Sequence, residues 1–164
     1  MAQTAIVYYS ESNNTKAAAE YLAEKTGLSL IHLMGEKRTN PLQGMLHGSA
    51  ALVGDPWKEI ENFNQVILMS PIYAFNGVPA VREFLSKADL TGKELLLITN
   101  GAAPQGKISS KVHRQYSKMI EKTDGKVTLT LHTIGGNPSS FAGEEHIHGQ
   151  VDKILSQVQT WMAG

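Results

Sequence analysis

Short apolar segments alternate with amphipathic segments along this chain. The apolar segments are 6–8 residues long and predict β-strands: Thr4–Tyr9, Leu28–Leu33, Gln65–Ser70, Glu94–Thr99 and Val127–Ile134. Helical spacing of apolar residues in the intervening segments predicts helices over Thr15–Thr26, over Asn40–Val53, from Pro79, from Ile108 and from Val151. Residues 135–149, rich in glycine, serine and histidine, are predicted as a loop.

Polar and apolar residues do not alternate in the first, third and fourth strands, whereas they alternate strictly in Val127–Ile134. Strands covered on both faces by helices lose their alternation, so the last strand is predicted at a sheet edge. Five strands alternating with helices predict an α/β fold, a three-layer doubly wound parallel sheet. No repeat or linker divides the chain, and residues 1–164 are expected to form a single domain.

Composition removes several functional classes. The 164 residues carry 15 basic and 15 acidic side chains, so the chain has no net field to attract nucleic acid or an anionic membrane. The absence of cysteine excludes disulfides, thiolate metal sites and cysteine nucleophiles. Without a signal-like N-terminus or a membrane-length apolar stretch, a cytoplasmic protein is expected.

Three loops rich in small or polar residues each follow a predicted strand. We call Ser10–Thr15 the first loop, Pro71–Gly77 the second loop and Asn100–Gly106 the third loop. In an open α/β sheet such loops meet at the carboxyl edge, where ligands bind. The first loop precedes a helix, whose unpaired N–H groups and dipole favour an anion. We therefore predict a phosphate site made by Ser10, Ser12, Asn13, Asn14 and Thr15.

The other two loops suit a flat ring. In the second loop, Tyr73 and Phe75 could stack on a planar heterocycle, although packing between loops is the alternative for both rings. The third loop offers backbone amides beside small residues. These features favour a mononucleotide such as FMN, and the predicted ring-binding residues are Pro71, Ile72, Tyr73, Ala74, Phe75, Asn76, Gly77, Asn100, Gly101, Ala102 and Ala103.

The same loops resemble those of the flavodoxin-like family. The segments that carry the resemblance are YSESNNTK, VILMSPIYAFNGVPAVREFL and LLLITNGAAPQG. The resemblance implies sheet order 2-1-3-4-5 and FMN bound between the first and third strands. Asn13 stands where the family usually has glycine, and asparagine tolerates a left-handed backbone. The resemblance also places the Asn76–Gly77 backbone near the flavin, where the glycine peptide could turn over to hydrogen-bond the reduced ring.

Two departures from flavodoxins leave the redox role open. No aromatic residue occurs in Asn100–Lys111, and the chain is neutral rather than acidic. The alternatives are an electron carrier with a redox partner protein, an NAD(P)H:quinone-type oxidoreductase with a small-molecule acceptor, and a flavin-free interaction domain. A receiver-type signalling domain is disfavoured, because Ser10 and Ser70 occupy the positions that require acidic residues.

No side chain is predicted as catalytic, and no metal site is predicted. His146 and His148 are two residues apart near Glu144 and Glu145, but this spacing alone is not specific for a metal. A homodimer is compatible with the apolar end of the last helix.

Overall fold

A computed structural model describes residues 3–37, 48–137 and 139–164. In chain order the elements are β1 Thr4–Tyr9, α1 Asn14–Thr26, β2 Ser29–Leu33, α2 Pro56–Glu59, β3 Gln65–Pro71, α3 Pro79–Lys87, β4 Glu94–Gly101, α4 Lys107–Lys122, β5 Lys126–Ile134 and α5 Glu144–Ala163. Each predicted strand is present, with its ends moved by at most two residues.

The five strands form a parallel sheet in the order β2-β1-β3-β4-β5. Every residue of β1 and β3 is buried, which explains why these strands show no alternation. β5 lies at an edge, as predicted from its alternation, and a one-residue irregularity near its start lets Val127 and Leu129 pair with consecutive residues of β4. The prediction of a doubly wound sheet is confirmed.

Helices cover both faces of the sheet. On one face, α1 and α5 pack on alternate strand residues represented by Ile6, Ile67 and Leu96. On the other face, α3 and α4 pack on the intervening residues, represented by Val66 and Leu97. This alternation buries about half of each inner strand's side chains on each face and fixes the register of the strands.

Two predictions for the connecting segments need correction. The predicted helix over Asn40–Val53 falls partly on residues 38–47, which lie outside the described residues; its last part is extended, because Leu52 pairs with Gly35 in an antiparallel bridge. The segment after β5 was predicted as loop up to Gly149, yet α5 begins at Glu144. The helix starts early because Glu144 and Glu145 in its first turn favour the positive end of the helix dipole.

None of the helices in the described ranges has the length and apolar character needed to cross a bilayer.

Candidate functional site

The first loop leads directly from β1 into the N-terminus of α1. Asn13 occupies the cap position with φ 70° and ψ −1°, the left-handed conformation expected of it. Its side chain makes no capping hydrogen bond, so the first-turn N–H groups of α1 are not satisfied by this residue. The loop therefore presents the positive end of a 13-residue helix at the carboxyl edge of the sheet.

Thr15 is the most informative residue of the first loop. It is 1% exposed, and among the described residues its hydroxyl oxygen Oγ1 has no hydrogen-bond partner. A buried hydroxyl without a partner costs about 1–3 kcal/mol. An orphaned hydroxyl in the first turn of a helix is well suited to donate to an anion bound there.

The side chain of Asn14 makes hydrogen bonds within the protein. Its Nδ2 donates to the Ser140 carbonyl at 2.7 Å and to Ser12 Oγ at 3.0 Å, while its Oδ1 accepts from the Ala142 N–H at 2.8 Å. The amide side chain is thus committed to holding the loop between β5 and α5 beside the first loop. Between the two bonded residues, Phe141 is 45% exposed.

The second loop contains a tight turn over residues 73–76. The N–H of Tyr73 donates to the Asn76 carbonyl at 3.0 Å, and the N–H of Asn76 donates to the Tyr73 carbonyl at 2.9 Å. The central residues Ala74 and Phe75 have φ of 49° and 64°. Two successive left-handed residues define a type I′ turn, which normally requires glycine or asparagine.

The turn sends its two aromatic side chains to different places. Tyr73 is 2% exposed and packs edge-on against Tyr9 in the core, with ring centroids 6.5 Å apart. Phe75 is 66% exposed and lines a surface cavity. The expectation that both rings stack on a ligand is therefore corrected: the alternative of packing applies to Tyr73, and the Phe75 ring faces the cavity.

Residues of α3 and α4 hold the second loop from below. The Gly77 N–H donates to Gln115 Oε1 at 2.9 Å, and the Gly77 carbonyl accepts from Arg82 Nη1 at 2.5 Å. The Val78 N–H donates to the Tyr116 hydroxyl at 2.8 Å. Burial raises the pKa of Tyr116 to about 12, so this hydroxyl stays protonated.

Gly77 is consequently fixed rather than free to reorient. The peptide before it is bonded at both ends, through the Asn76 carbonyl and the Gly77 N–H, and so is the peptide after it. The predicted turning over of the Gly77 peptide would break two hydrogen bonds. Glycine is required at position 77 because the backbone lies close to the Tyr116 ring, and a Cβ would be only 2.6 Å from it.

A cavity of about 280 Å³ opens between the second and third loops. It is lined by Ile72, Ala74, Phe75, Gly101, Ala102, Ala103, Pro104, Ile108, Ser109 and His132. A narrow gap of about 10 Å³, lined in part by Ser12, Asn14 and Pro71, lies between the first and third loops and shares Ile72 and Gly101 with the cavity. The first loop and the cavity are therefore parts of one groove along the carboxyl edge.

The third loop supplies backbone and small side chains to this groove. Asn100 is 4% exposed and its Nδ2 donates to Thr133 Oγ1 at 2.8 Å, so its side chain ties β4 to β5. A Cβ at Gly135 would lie 2.1 Å from Asn100 Oδ1, which explains the glycine that follows β5. Gly101, Ala102 and Ala103 form the wall of the cavity.

Sequence reasoning missed four cavity residues, Pro104, Ile108, Ser109 and His132. His132 is the polar residue among them that carries ionisable chemistry, and its Nε2 donates to the Ala103 carbonyl at 2.8 Å. Burial lowers the pKa of His132, an effect that the Ala103 carbonyl partly offsets. A signal was present, because His132 stands at a polar position of an alternating strand, two residues before the carboxyl end of β5.

The two histidines on α5 contact different parts of the protein. His146 Nε2 donates to the Ile134 carbonyl at 2.9 Å, whereas His148 stacks on Tyr21 with ring centroids 4.0 Å apart. Among the described residues, no group of three histidine, cysteine or acidic side chains is placed to hold a metal ion.

A three-layer α/β sandwich with this sheet order, and with a groove lined by the loops that follow its first, third and fourth strands, has the flavodoxin-like fold. Solved structures of that fold are similar to the chain over nearly its whole length. The Trp repressor binding protein of Bacillus subtilis superposes with a TM-score of 0.67 at 15% identity, covering 94% of this chain and 97% of that one. A flavoprotein from Lactobacillus acidophilus, solved in complex with FMN, gives 0.65 at 15% identity over 80% and 93% of the two chains.

A Fusobacterium nucleatum flavodoxin bound to flavin mononucleotide gives a TM-score of 0.54 at 20% identity, covering 98% of both chains. No protein-family model matches the sequence, and no curated protein matches it either. At these identities the structural likeness establishes the fold.

Proposed function

We propose that this protein binds FMN non-covalently and transfers electrons through it. The observation that carries the proposal is the groove itself. At one end lies the N-terminus of a helix with the buried Thr15 hydroxyl, which has no hydrogen-bond partner among the described residues, and at the other lies an apolar cavity bordered by Phe75. A phosphate attached to a flat heterocycle matches both ends. Two structures that share the fold contain FMN, which supports the choice of flavin.

The phosphate end is assigned to the first loop. The first-turn N–H groups of α1 and the hydroxyls of Ser10, Ser12 and Thr15 would donate to phosphate oxygens, as helix N-termini commonly do. Asn13 shapes the loop through its left-handed backbone, and Asn14 holds the neighbouring loop in place. A basic side chain is not required, because several N–H and O–H donors and the helix dipole can together stabilise a phosphate.

The ring end is assigned to the second and third loops. Phe75 would cover one face of the isoalloxazine, and the Gly101–Ala103 backbone with Ile72 would line the other side and the edge. Pro71, Ala74 and Asn76 contribute through the backbone of β3 and of the turn. FMN supplies the electron-accepting ring, and the chain binds it, orients it and restricts its contact with water.

Two versions of this function differ in the electron acceptor. A carrier passes electrons to a partner protein, whereas an oxidoreductase passes them from a nicotinamide to a small acceptor such as a quinone. The formal net charge of zero favours the second version, since the chain has no acidic field to steer a partner protein.

The direct experiment is titration of the purified protein with FMN, followed by visible absorption and flavin fluorescence. We expect a retained flavin spectrum after gel filtration and weaker retention of riboflavin, which has no phosphate. Protein that leaves gel filtration free of flavin after exposure to excess FMN would contradict the proposal. NAD(P)H oxidation by the FMN-loaded protein, with and without a quinone, then separates the enzyme from the carrier.

A further inference from the structure

Three polar side chains form a continuous hydrogen-bonded chain beneath the cavity. Thr99 of β4 lies in the middle: its Oγ1 is 2.9 Å from His113 Nε2 of α4 and 2.7 Å from His132 Nδ1 of β5. Thr99 and His113 are buried, at 1% and 7% exposure. His132 is the cavity end of the chain, where its Nε2 bonds the Ala103 carbonyl of the third loop.

Counting hydrogens shows that this chain is one proton short. Its ends are carbonyl oxygens, which only accept: Ala103 at the His132 end and the backbone of Leu131 at the His113 end. Four donor–acceptor contacts therefore join five groups in a row, and each contact needs one hydrogen. Two neutral imidazoles and one hydroxyl supply three hydrogens, whereas one additional proton supplies the fourth and satisfies every contact.

Burial opposes that additional proton in the free protein. Desolvation is the main reason that the pKa of His113 falls to about 4, with repulsion from His132 second and the Leu131 carbonyl acting in the opposite sense. Desolvation also lowers the pKa of His132 against the Ala103 carbonyl. The groups that face the two rings are thus each other, the Thr99 hydroxyl and two carbonyls. A negative charge in the cavity would offset the desolvation cost.

We propose that His132, Thr99 and His113 act as one proton-binding unit, which takes up a single shared proton from solvent when a negatively charged ring occupies the cavity. The proton binds the imidazole nitrogen that carries a free lone pair, and no bond in the occupant forms or breaks. A second proton is disfavoured, because it would place a positive charge on each side of one hydroxyl. The identity of the occupant as reduced FMN rests on the proposed function.

Histidine NMR titration of the ligand-free protein tests the unit itself. We expect the imidazole nitrogens of His113 and His132 to respond to pH with one common first midpoint, below the 6.5 of an unperturbed histidine. In Thr99→Val the bridge is removed, and the two rings should titrate separately. Thr130→Val, an exposed threonine on β5, is the matched control and should leave the common midpoint unchanged. Separate midpoints in the wild type would overturn the proposal.

The same titration on protein loaded with FMN and reduced under anaerobic conditions tests the response to charge. The common first midpoint, followed on both rings, should move up by about one unit or more. In His132→Gln, reduction of the bound FMN should leave the His113 midpoint unchanged. A shift confined to His132 would contradict proton sharing. Failure of FMN to bind would overturn the proposed function, and the ligand-free titration would still decide whether the rings act as a unit.

Discussion

The first and second loops both follow fully buried parallel strands, yet they differ in how far other residues of the protein satisfy the hydrogen bonds of their polar groups. In the second loop, the peptides on both sides of Gly77 are bonded at each end, and α4 supplies Gln115 and Tyr116 to hold them. In the first loop, the cap residue makes no side-chain capping hydrogen bond, and Thr15 Oγ1 has no hydrogen-bond partner among the described residues.

This difference suggests a division of labour. The hydrogen bonds of the second loop are completed by other parts of the protein and give it a fixed shape, whereas the first loop keeps donors that no described residue pairs with. A rigid wall suits a flat ring, and open donors suit an anion. Changes in the second loop should therefore act mainly on folding or on ring binding, and changes in the first loop should act on phosphate binding.

The largest effect is expected for Gly77→Ala. The new methyl group would lie 2.6 Å from the Tyr116 ring, which is itself fully buried. Overpacking of this kind should reduce the free energy of unfolding by about 2–3 kcal/mol, as measured by urea denaturation.

Gly149→Ala is the control for that substitution, because a Cβ there has nothing within 4 Å and lies in the interior of α5. It should raise stability by about 0.5–1 kcal/mol. If Gly77→Ala changes the free energy of unfolding as little as Gly149→Ala does, the second loop is less fixed than its hydrogen bonds indicate.

The second-largest effect is a pH dependence of folding stability, caused by His113. The pKa of His113 falls from 6.5 in the unfolded chain to about 4 in the folded protein, so the unfolded chain binds more protons between these values. Stability is then fully present above pH 6.5 and is lost as the pH falls towards 4. His113 alone should account for about 2 kcal/mol of lost stability between pH 7 and pH 5.

Urea denaturation of the ligand-free wild type and of His113→Gln at both pH values isolates that contribution. The variant should lose less stability than the wild type on acidification. Equal losses would mean that the imidazole does not remain neutral in the folded protein.

A smaller effect is expected for Phe75→Ala on ligand binding. Removing a ring that borders the cavity should weaken FMN and riboflavin alike, by about 0.5–1.5 kcal/mol, because both have the same ring system. Isothermal titration calorimetry with the two ligands measures this. Phe141→Ala, which removes a partly exposed ring that does not line the cavity, serves as the control. Selective weakening of FMN by Phe75→Ala would remove the distinction between the loops.

The smallest effect concerns strain in the turn. Ala74 has φ 49°, and glycine adopts such angles without steric cost. Ala74→Gly should raise the thermal unfolding temperature, because it increases the free energy of unfolding by about 0.5–1 kcal/mol. Ala23→Gly in the interior of α1 should lower stability by about 1 kcal/mol. If both variants are destabilised equally, the left-handed conformation carries no strain.

The strands and the edge position of β5 could be predicted because burial leaves a local signature, whereas the full sheet order came from the resemblance to the flavodoxin-like family. The unbroken apolar residues of β1, β3 and β4 and the alternation of β5 are consequences of their positions in the sheet. The left-handed Asn13 could also be anticipated, since few residue types tolerate that conformation.

The details of the site depend on contacts between distant residues, which local patterns do not contain. No glycine or asparagine marks Ala74 and Phe75 as a type I′ turn, and contacts from α4 enforce it; the inward Tyr73 follows from that turn. The pairing of Gly35 with Leu52 joins segments 17 residues apart in place of the predicted helix. His132 belongs to the cavity because β5 pairs with β4.

The central claim, that the first loop binds a phosphate with the open Thr15 hydroxyl, is tested most directly by measuring FMN and riboflavin affinities for the wild type and Thr15→Val. Valine keeps the shape and removes one hydrogen bond to a charged group, about 1.5–3 kcal/mol. We predict that FMN binding weakens about 10- to 100-fold, that riboflavin binding is unchanged, and that the ligand-free stability does not fall. Unchanged FMN affinity, or equal weakening of both ligands, would contradict the account.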